Sequence, residues 1–150
     1  MGPGRAQRSR GLELGLERSV TDRWLVSAGY AWQDAEIAKT TASAPEGREV
    51  PLVPRHSFSL WNRYDVTDQL GLGLGIVARS KAYASISNQV KLPGYARVDA
   101  AAFYDLGRGI EAQLNIENLF DADYFSTAHN DNNIAPGTPF TVKGGLRFNF

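Results

Sequence analysis

Phe140-Thr-Val-Lys-Gly-Gly-Leu-Arg-Phe-Asn-Phe150 is the stretch whose reading decides the fold. Positions 140, 142, 146, 148 and 150 are Phe, Val, Leu, Phe and Phe, and Gly144 fills the place between. Thr141, Lys143, Gly145, Arg147 and Asn149 alternate with them. Successive side chains of a strand point to opposite faces, so one face is apolar and the other polar and cationic. Chain ends usually fray into water. This one alternates up to an aromatic residue, which suits an end that is held, and lipid against the apolar face is one way to hold it.

The same rhythm runs upstream. Leu12, Leu14 and Leu16 alternate with Glu13, Gly15 and Glu17. Trp24, Val26, Ala28, Tyr30 and Trp32 share the next apolar face. His56–Asp65 resumes with Phe58, Leu60 and Tyr64, although Trp61 and Asn62 break the alternation. Leu70–Arg79 sets leucines against Gly71, Gly73 and Gly75, a bare backbone face suited to a crowded interior. In Tyr95–Asp105, Val98, Ala100, Ala102 and Tyr104 oppose Arg97 and Asp99, and in Ile110–Phe120, Ile110, Ala112, Leu114 and Ile116 oppose Glu111, Gln113, Asn115 and Glu117. The reading is all-β: an antiparallel up-and-down meander of about seven strands.

The connections alternate in length. Short ones fall at 20–23, 66–69 and 106–109; long polar ones fall at 38–55, 80–94 and 121–139. A meander therefore gathers all the long loops at one end, the arrangement of bacterial outer-membrane barrels. Trp24, Tyr64, Tyr104 and Phe148 or Phe150 lie at the short-turn ends, where an interfacial aromatic girdle belongs. A soluble sandwich or lipocalin-like barrel is the competing architecture. The small Ala100 and Ala102 on the apolar face suit lipid better than an interlocking core.

Composition narrows the function. The chain has 150 residues, 16 basic and 16 acidic, so it carries no electrostatic signature of a nucleic-acid partner. Its 15 glycines, seven Phe, six Tyr, three Trp and single Met favour strand over helix. There are no cysteines, which excludes disulfides and thiolate metal sites. No apolar run reaches the roughly 18 residues of a membrane helix. Met1–Arg10 is basic and no apolar secretory stretch follows it, so the barrel reading implies a chain that begins partway through a longer protein.

Val53-Pro-Arg-His56, Leu92-Pro-Gly-Tyr95 with Arg97-Val-Asp99, Asn118-Leu-Phe-Asp121 with Tyr124, and Pro136-Gly-Thr-Pro139 stand in fixed order before the last strand. In this order and spacing they resemble the C-terminal end of a TonB-dependent outer-membrane receptor, most like the siderophore receptors. Phe140 departs from the Arg that many members carry there. The resemblance implies a 22-stranded transmembrane barrel around a plug, in the outer membrane of a Gram-negative bacterium. It implies uptake of ferric siderophore driven by TonB, which engages the receptor's N-terminal part. Residues 1–150 would then be a barrel-wall fragment with the plug, TonB box and earlier strands absent. About seven strands is below the smallest barrels, and an open sheet in lipid leaves edges unpaired.

The resemblance also implies sites. Lys143, Gly145, Phe148 and Phe150 match the signal read by the barrel-assembly machinery, although the aromatics could equally be interface anchors. Outer loops help bind ligand in this family, so Tyr83, His129 and Asn130 are candidate siderophore contacts; turn chemistry is the plainer account of His129–Asn133. Asn118 and Asp121 are expected to manage backbone groups at a strand end. Arg97, Asp99, Glu111, Glu117, Lys143 and Arg147 are expected to pair across strands or line a solvated channel. No catalytic residue, resident cofactor or metal site is expected, since the nucleophile, phosphate-loop, calcium-loop and His-rich motifs are missing. Expected partners are outer-membrane lipid, ferric siderophore, the assembly machinery and, through the missing part, TonB. A small passive barrel or adhesin and a soluble ligand-binding β protein are the alternatives.

Overall fold

The computed structural model describes residues 7–40 and 44–149. Phe150, one residue of the expected assembly signal, lies outside them. Seven long strands form one antiparallel sheet: β1 (Gln7–Thr21), β2 (Trp24–Ile37), β3 (His56–Asp65), β4 (Leu70–Arg79), β7 (Tyr95–Gly107), β8 (Ile110–Glu117) and β11 (Thr141–Phe148). They pair in that order, each with its neighbour along the chain, as a meander requires. Four short strands stand apart: β5 (Ala82–Tyr83) with β6 (Lys91–Leu92), and β9 (Phe125–Asn130) with β10 (Asn133–Pro136). The long connections 80–94 and 121–139, expected to be plain polar loops, therefore contain hairpins. Asn118–Phe120, expected to extend a strand, lies outside β8.

Register carries the face pattern across the sheet. Leu14 pairs with Tyr30, Tyr30 with Phe58, and Phe58 with Ala78. Lower down, Trp24 pairs with Tyr64, Tyr64 with Leu72, Leu72 with Ala102, Ala102 with Leu114, and Leu114 with Gly144. In the ladders between the long strands the paired residues share parity, apart from a step at each of two hairpin turns, Thr21↔Trp24 and Gly107↔Ile110. One face is thus even-numbered and apolar, the other odd-numbered and polar. Among the described residues no second sheet covers the apolar face: Leu114 and Val142 are 44% and 50% exposed. That disposes of the soluble sandwich, where both would be core.

The two residues that break the alternation of β3 each have a partner. Trp61 is odd-numbered and lies across Gly73 and Gly75 of β4, where an added Cβ would overlap its indole. The glycine face is bare because a ring covers it. Asn62 is even-numbered and sits on the apolar face, where Trp24 Nε1 donates to its Oδ1 at 3.2 Å. A polar amide on a greasy face is tolerable once it is bonded.

Overpacking a fitted site costs about 1–3 kcal/mol, so Gly73→Val should lower the unfolding midpoint in detergent. Trp61→Ala should lower it too, by opening a void. Together the two changes should cost less than their sum, because the small residue makes room for the valine. Strict additivity in that double-mutant cycle would show that the indole does not occupy the glycine face.

Candidate functional site in the outer loops and on the polar face

The buried residues lie largely at the long-loop end rather than within the sheet. Ala84, Leu92 and Ala128 form a small cluster with Val90 and Ile134 packed against it. They come from the two loop hairpins, whose small side chains allow close approach. Hydrogen bonds join the loops. Leu52 N–H donates to the Tyr83 carbonyl at 2.9 Å, and Arg48 donates to the Ile86 carbonyl at 3.0 Å. Asn88 accepts from Glu49 N–H at 2.7 Å and donates back to its carbonyl at 3.0 Å. Ser87 Oγ donates to Asp131 Oδ2 at 2.6 Å. The three loops are one packed cap.

A knot around Asn118 fastens that cap to the wall. Asn118 is 1% exposed with φ 54°, in the left-handed region that Asn tolerates better than most residues. Its backbone N–H donates to Asp99 Oδ1 at 2.9 Å. Its side-chain amide donates to the carbonyls of Ala122 and Thr138 at 2.9 and 3.0 Å and accepts from Ala122 N–H at 2.8 Å. Asp121 Oδ1 accepts from Phe140 N–H at 2.8 Å. Tyr124 OH accepts from Arg97 Nη1 and from Thr138 N–H, both at 3.0 Å. Its ring lies 4.3 Å from that of Tyr95 and fills the space a side chain at Gly137 would need. Burial acts to raise the Tyr124 pKa, but the hydrogen bonds from Arg97 and Thr138 outweigh it and the phenol sits below its ordinary value. Asn118 and Asp121 manage backbone groups, as expected; Tyr124 is the hub that sequence reasoning missed.

On the polar face charge pairs form across strands and, for Arg97 and Asp99, within one strand. Arg97 meets Asp99 at 2.8 Å and Lys143 meets Glu117 at 2.7 Å, while Arg147 and Arg63 flank Glu111 at 3.9 and 3.8 Å. Arg63 also lies over the Phe103 ring, 4.2 Å from its centre, a contact no sequence pattern announced. These pairs are partly exposed, so each contributes at most about 1 kcal/mol. Lys143, the polar member of the assembly motif, is thereby engaged in the wall. At Gly145 an added Cβ would meet nothing within 4 Å.

The ligand candidates are not gathered in one pocket. Tyr83 lines a cleft of about 310 Å³ with Glu49, Arg55, His56, Ser80, Lys81, Ala82 and Lys91. His129 and Asn130 are exposed at the end of β9, where Asn130 Oδ1 accepts from Asn132 N–H at 2.9 Å, so turn chemistry does operate there. Among the described residues no group of three or more His, Cys, Asp or Glu could hold a metal ion.

A family model described as TonB dependent receptor-like, beta-barrel, matches residues 2–119. The chain belongs to the TonB-dependent receptor β-barrel family. PiuA of Acinetobacter baumannii, a probable TonB-dependent siderophore receptor, is 39% identical over 129 residues, 79% of this chain and 17% of that protein. The catecholate siderophore receptor Fiu of Escherichia coli is 32% identical over 141 residues, 90% of this chain and 19% of that one. The crystal structure of PiuA matches with TM-score 0.86 and 33% identity, covering 95% of this chain and 22% of that chain. The closed form of Fiu matches at 0.82 and 30%, covering 96% and 21%. The chain spans about a fifth of the length of these relatives. It is a section of barrel wall from a Gram-negative outer membrane.

Asn118→Ala leaves three buried backbone groups without the side chain that bonds them, at about 1–3 kcal/mol each before relaxation. Asn118→Gly removes the same bonds while relieving the left-handed backbone. Both variants should expose 121–139 to limited proteolysis in outer-membrane fragments, the alanine variant faster. Wild-type resistance in both would mean that the knot does not hold the loop.

Proposed function

We propose that these residues form wall and outer loops of a receptor that carries ferric siderophore across the outer membrane, driven by TonB and performing no covalent chemistry. The even-numbered apolar face lies against lipid and the odd-numbered polar face lines the interior, where its charges face water or the receptor's plug. The single observation that carries the reading is the coverage of nearly the whole sheet and loop cap by siderophore receptors at about a third identity. The preformed cap supports it, since a packed loop set can present side chains to a ligand with little ordering cost. His129 and Asn130, exposed on the cap, are the proposed ligand contacts; Tyr83 lines a cleft that includes neither of them. The siderophore is the transported ligand, not a resident cofactor.

Disrupting the reading frame that contains these residues should abolish uptake of radiolabelled iron from the cognate siderophore, and a TonB-deficient strain should show the same loss. Uptake that persists without TonB would return the balance to a passive barrel. In the intact receptor, His129→Ala with Asn130→Ala should raise the apparent KM for uptake several-fold and spare the outer-membrane level. Residues 1–150 alone should restore no uptake and should sediment without detergent, because the open sheet keeps an apolar face and free edges.

We also propose that Lys143, Gly145, Phe148 and Phe150 are read by the barrel-assembly machinery. β11 is an edge of the sheet in this chain, and an edge strand can be captured by pairing with another sheet. Packing does not demand glycine at 145, which leaves recognition as a reason for it. Phe148→Ala with Phe150→Ala should slow assembly and accumulate protease-sensitive chains in the periplasm; normal assembly kinetics would reduce both aromatics to interface anchors.

A further inference from the structure

The cleft lined by Tyr83 opens on the wrong side for a ligand in the barrel interior. His56 is paired with Trp32, and its Nδ1 lies 2.8 Å from the hydroxyl of Tyr30, so its ring stands on the apolar face. Glu49 bridges Glu36, an even-numbered residue of the strand that carries Tyr30 and Trp32. The cleft that includes His56 and Glu49 therefore adjoins the apolar face, where the sheet gives way to the loop cap. Its lining holds three cations, Arg55, Lys81 and Lys91, against the single carboxylate of Glu49. Arg55 is committed to Glu49 at 3.0 Å and to Asp34 at 3.6 Å. Lys91 lies over the Tyr83 ring, 5.3 Å from its centre, and neither it nor Lys81 has a carboxylate partner among the described residues.

We propose that this cleft seats a phosphorylated headgroup of an outer-leaflet lipid. The inference rests on the apolar face lying against lipid, as proposed above. A lipid whose chains cover Trp32, Tyr30 and Phe58 places its headgroup at the level of His56 and beyond. There Lys81 and Lys91 supply the two uncommitted positive charges, Tyr83 forms a wall, and the Tyr30–His56 pair marks the boundary between chain and headgroup. Lysine binds phosphate as a point charge without the planar fork of arginine, which suits a headgroup that arrives in varied orientations. Basic groups beside a membrane surface also gain from its anionic potential over about a Debye length.

The test uses the protein extracted from its own outer membranes in a neutral detergent. Diphosphoryl lipid A is the probe, phosphatidylcholine and inorganic phosphate are the controls, and retained lipid is counted by native mass spectrometry. Lys81→Gln with Lys91→Gln should weaken lipid A binding roughly tenfold, while Arg108→Gln, in a turn at the other end of the wall, leaves it unchanged. Ferric-siderophore uptake should persist in the double variant, which separates this site from the transport reading. Equal lipid A binding in wild type and double variant overturns the proposal, as does equal weakening by Arg108→Gln. Competition by inorganic phosphate at matching concentration would overturn the assignment to lipid in favour of a free-anion site. Should the double variant lose its place in the outer membrane, Lys81→Arg with Lys91→Arg, which keeps both charges, must retain binding for the proposal to stand.

Discussion

A strand bordered by lipid has no water to satisfy its N–H and C=O groups, so every rung must be supplied by the neighbouring strand. That constraint governs the chain. The seven wall strands pair in antiparallel order along the sequence, and the regular rungs join residues of like parity. A one-residue slip in any ladder would send every side chain of that strand to the opposite face. Register therefore maintains one apolar and one polar surface across seven strands, although each strand alone carries only a weak pattern. It also explains why Trp61 and the glycines of β4 have to be read together: pairing places Trp61 beside Gly75, with Gly73 one step along the same face.

The loop cap follows another logic. Its strands are two to six residues long and its core side chains are mostly alanine, with Leu92 the largest of the buried three. So small an apolar cluster cannot fix three loops by itself. Side-chain hydrogen bonds to backbone do much of the rest, through Asn88, Arg48 and Asn118, each reaching into another segment. Such bonds fix a conformation more by the cost of leaving a buried group unpaired than by the net gain in making them. The cap is consequently joined to the wall at defined points, chiefly where Asp99 and Arg97 of β7 meet Asn118 and Tyr124.

How much of this was legible in the sequence depends on the range of the interaction. Strand identity, loop alternation and the girdle of Trp24, Tyr64 and Tyr104 follow from period-two patterning, which is local. Arg97 and Asp99 are two apart on one strand and so visibly share a face; their ion pair was open to expectation. Arg63 over Phe103 joins strands whose register no motif states, and it was not. The loop hairpins stayed hidden because Ala82–Tyr83 and Lys91–Leu92 are too short to show a period. Tyr124 could be placed within a motif, but its role as hub needs Tyr95 and Arg97 of one segment and Gly137 and Thr138 of another to converge on it. Of the ligand candidates, Tyr83, His129 and Asn130 were legible as polar loop residues and nothing more. The face on which Tyr83 opens emerges only from the pairing of His56 with Trp32.

The way polar groups are satisfied distinguishes the environments of the two faces without reference to any relative. On the apolar face of β2 and β3, Asn62 takes the indole proton of Trp24 and His56 is bonded to Tyr30. Tyr64 and Trp32 lie near opposite ends of that face, within reach of interfacial water. Arg18 is even-numbered too, but it pairs with Val26 close to the short turn, where a long side chain can extend its charge to the membrane surface. On the polar face, Glu111 Oε1 and Arg97 Nε have no hydrogen-bond partner, although their side chains join ion pairs. A barrel interior can supply those missing bonds from water or from another part of the receptor, whereas lipid can supply none. At the loop end of β2 the even-numbered Asp34 also keeps Oδ1 without a hydrogen bond, with Arg55 3.6 Å away. The contrast between the faces therefore holds along the span and ends where the sheet meets the loop cap.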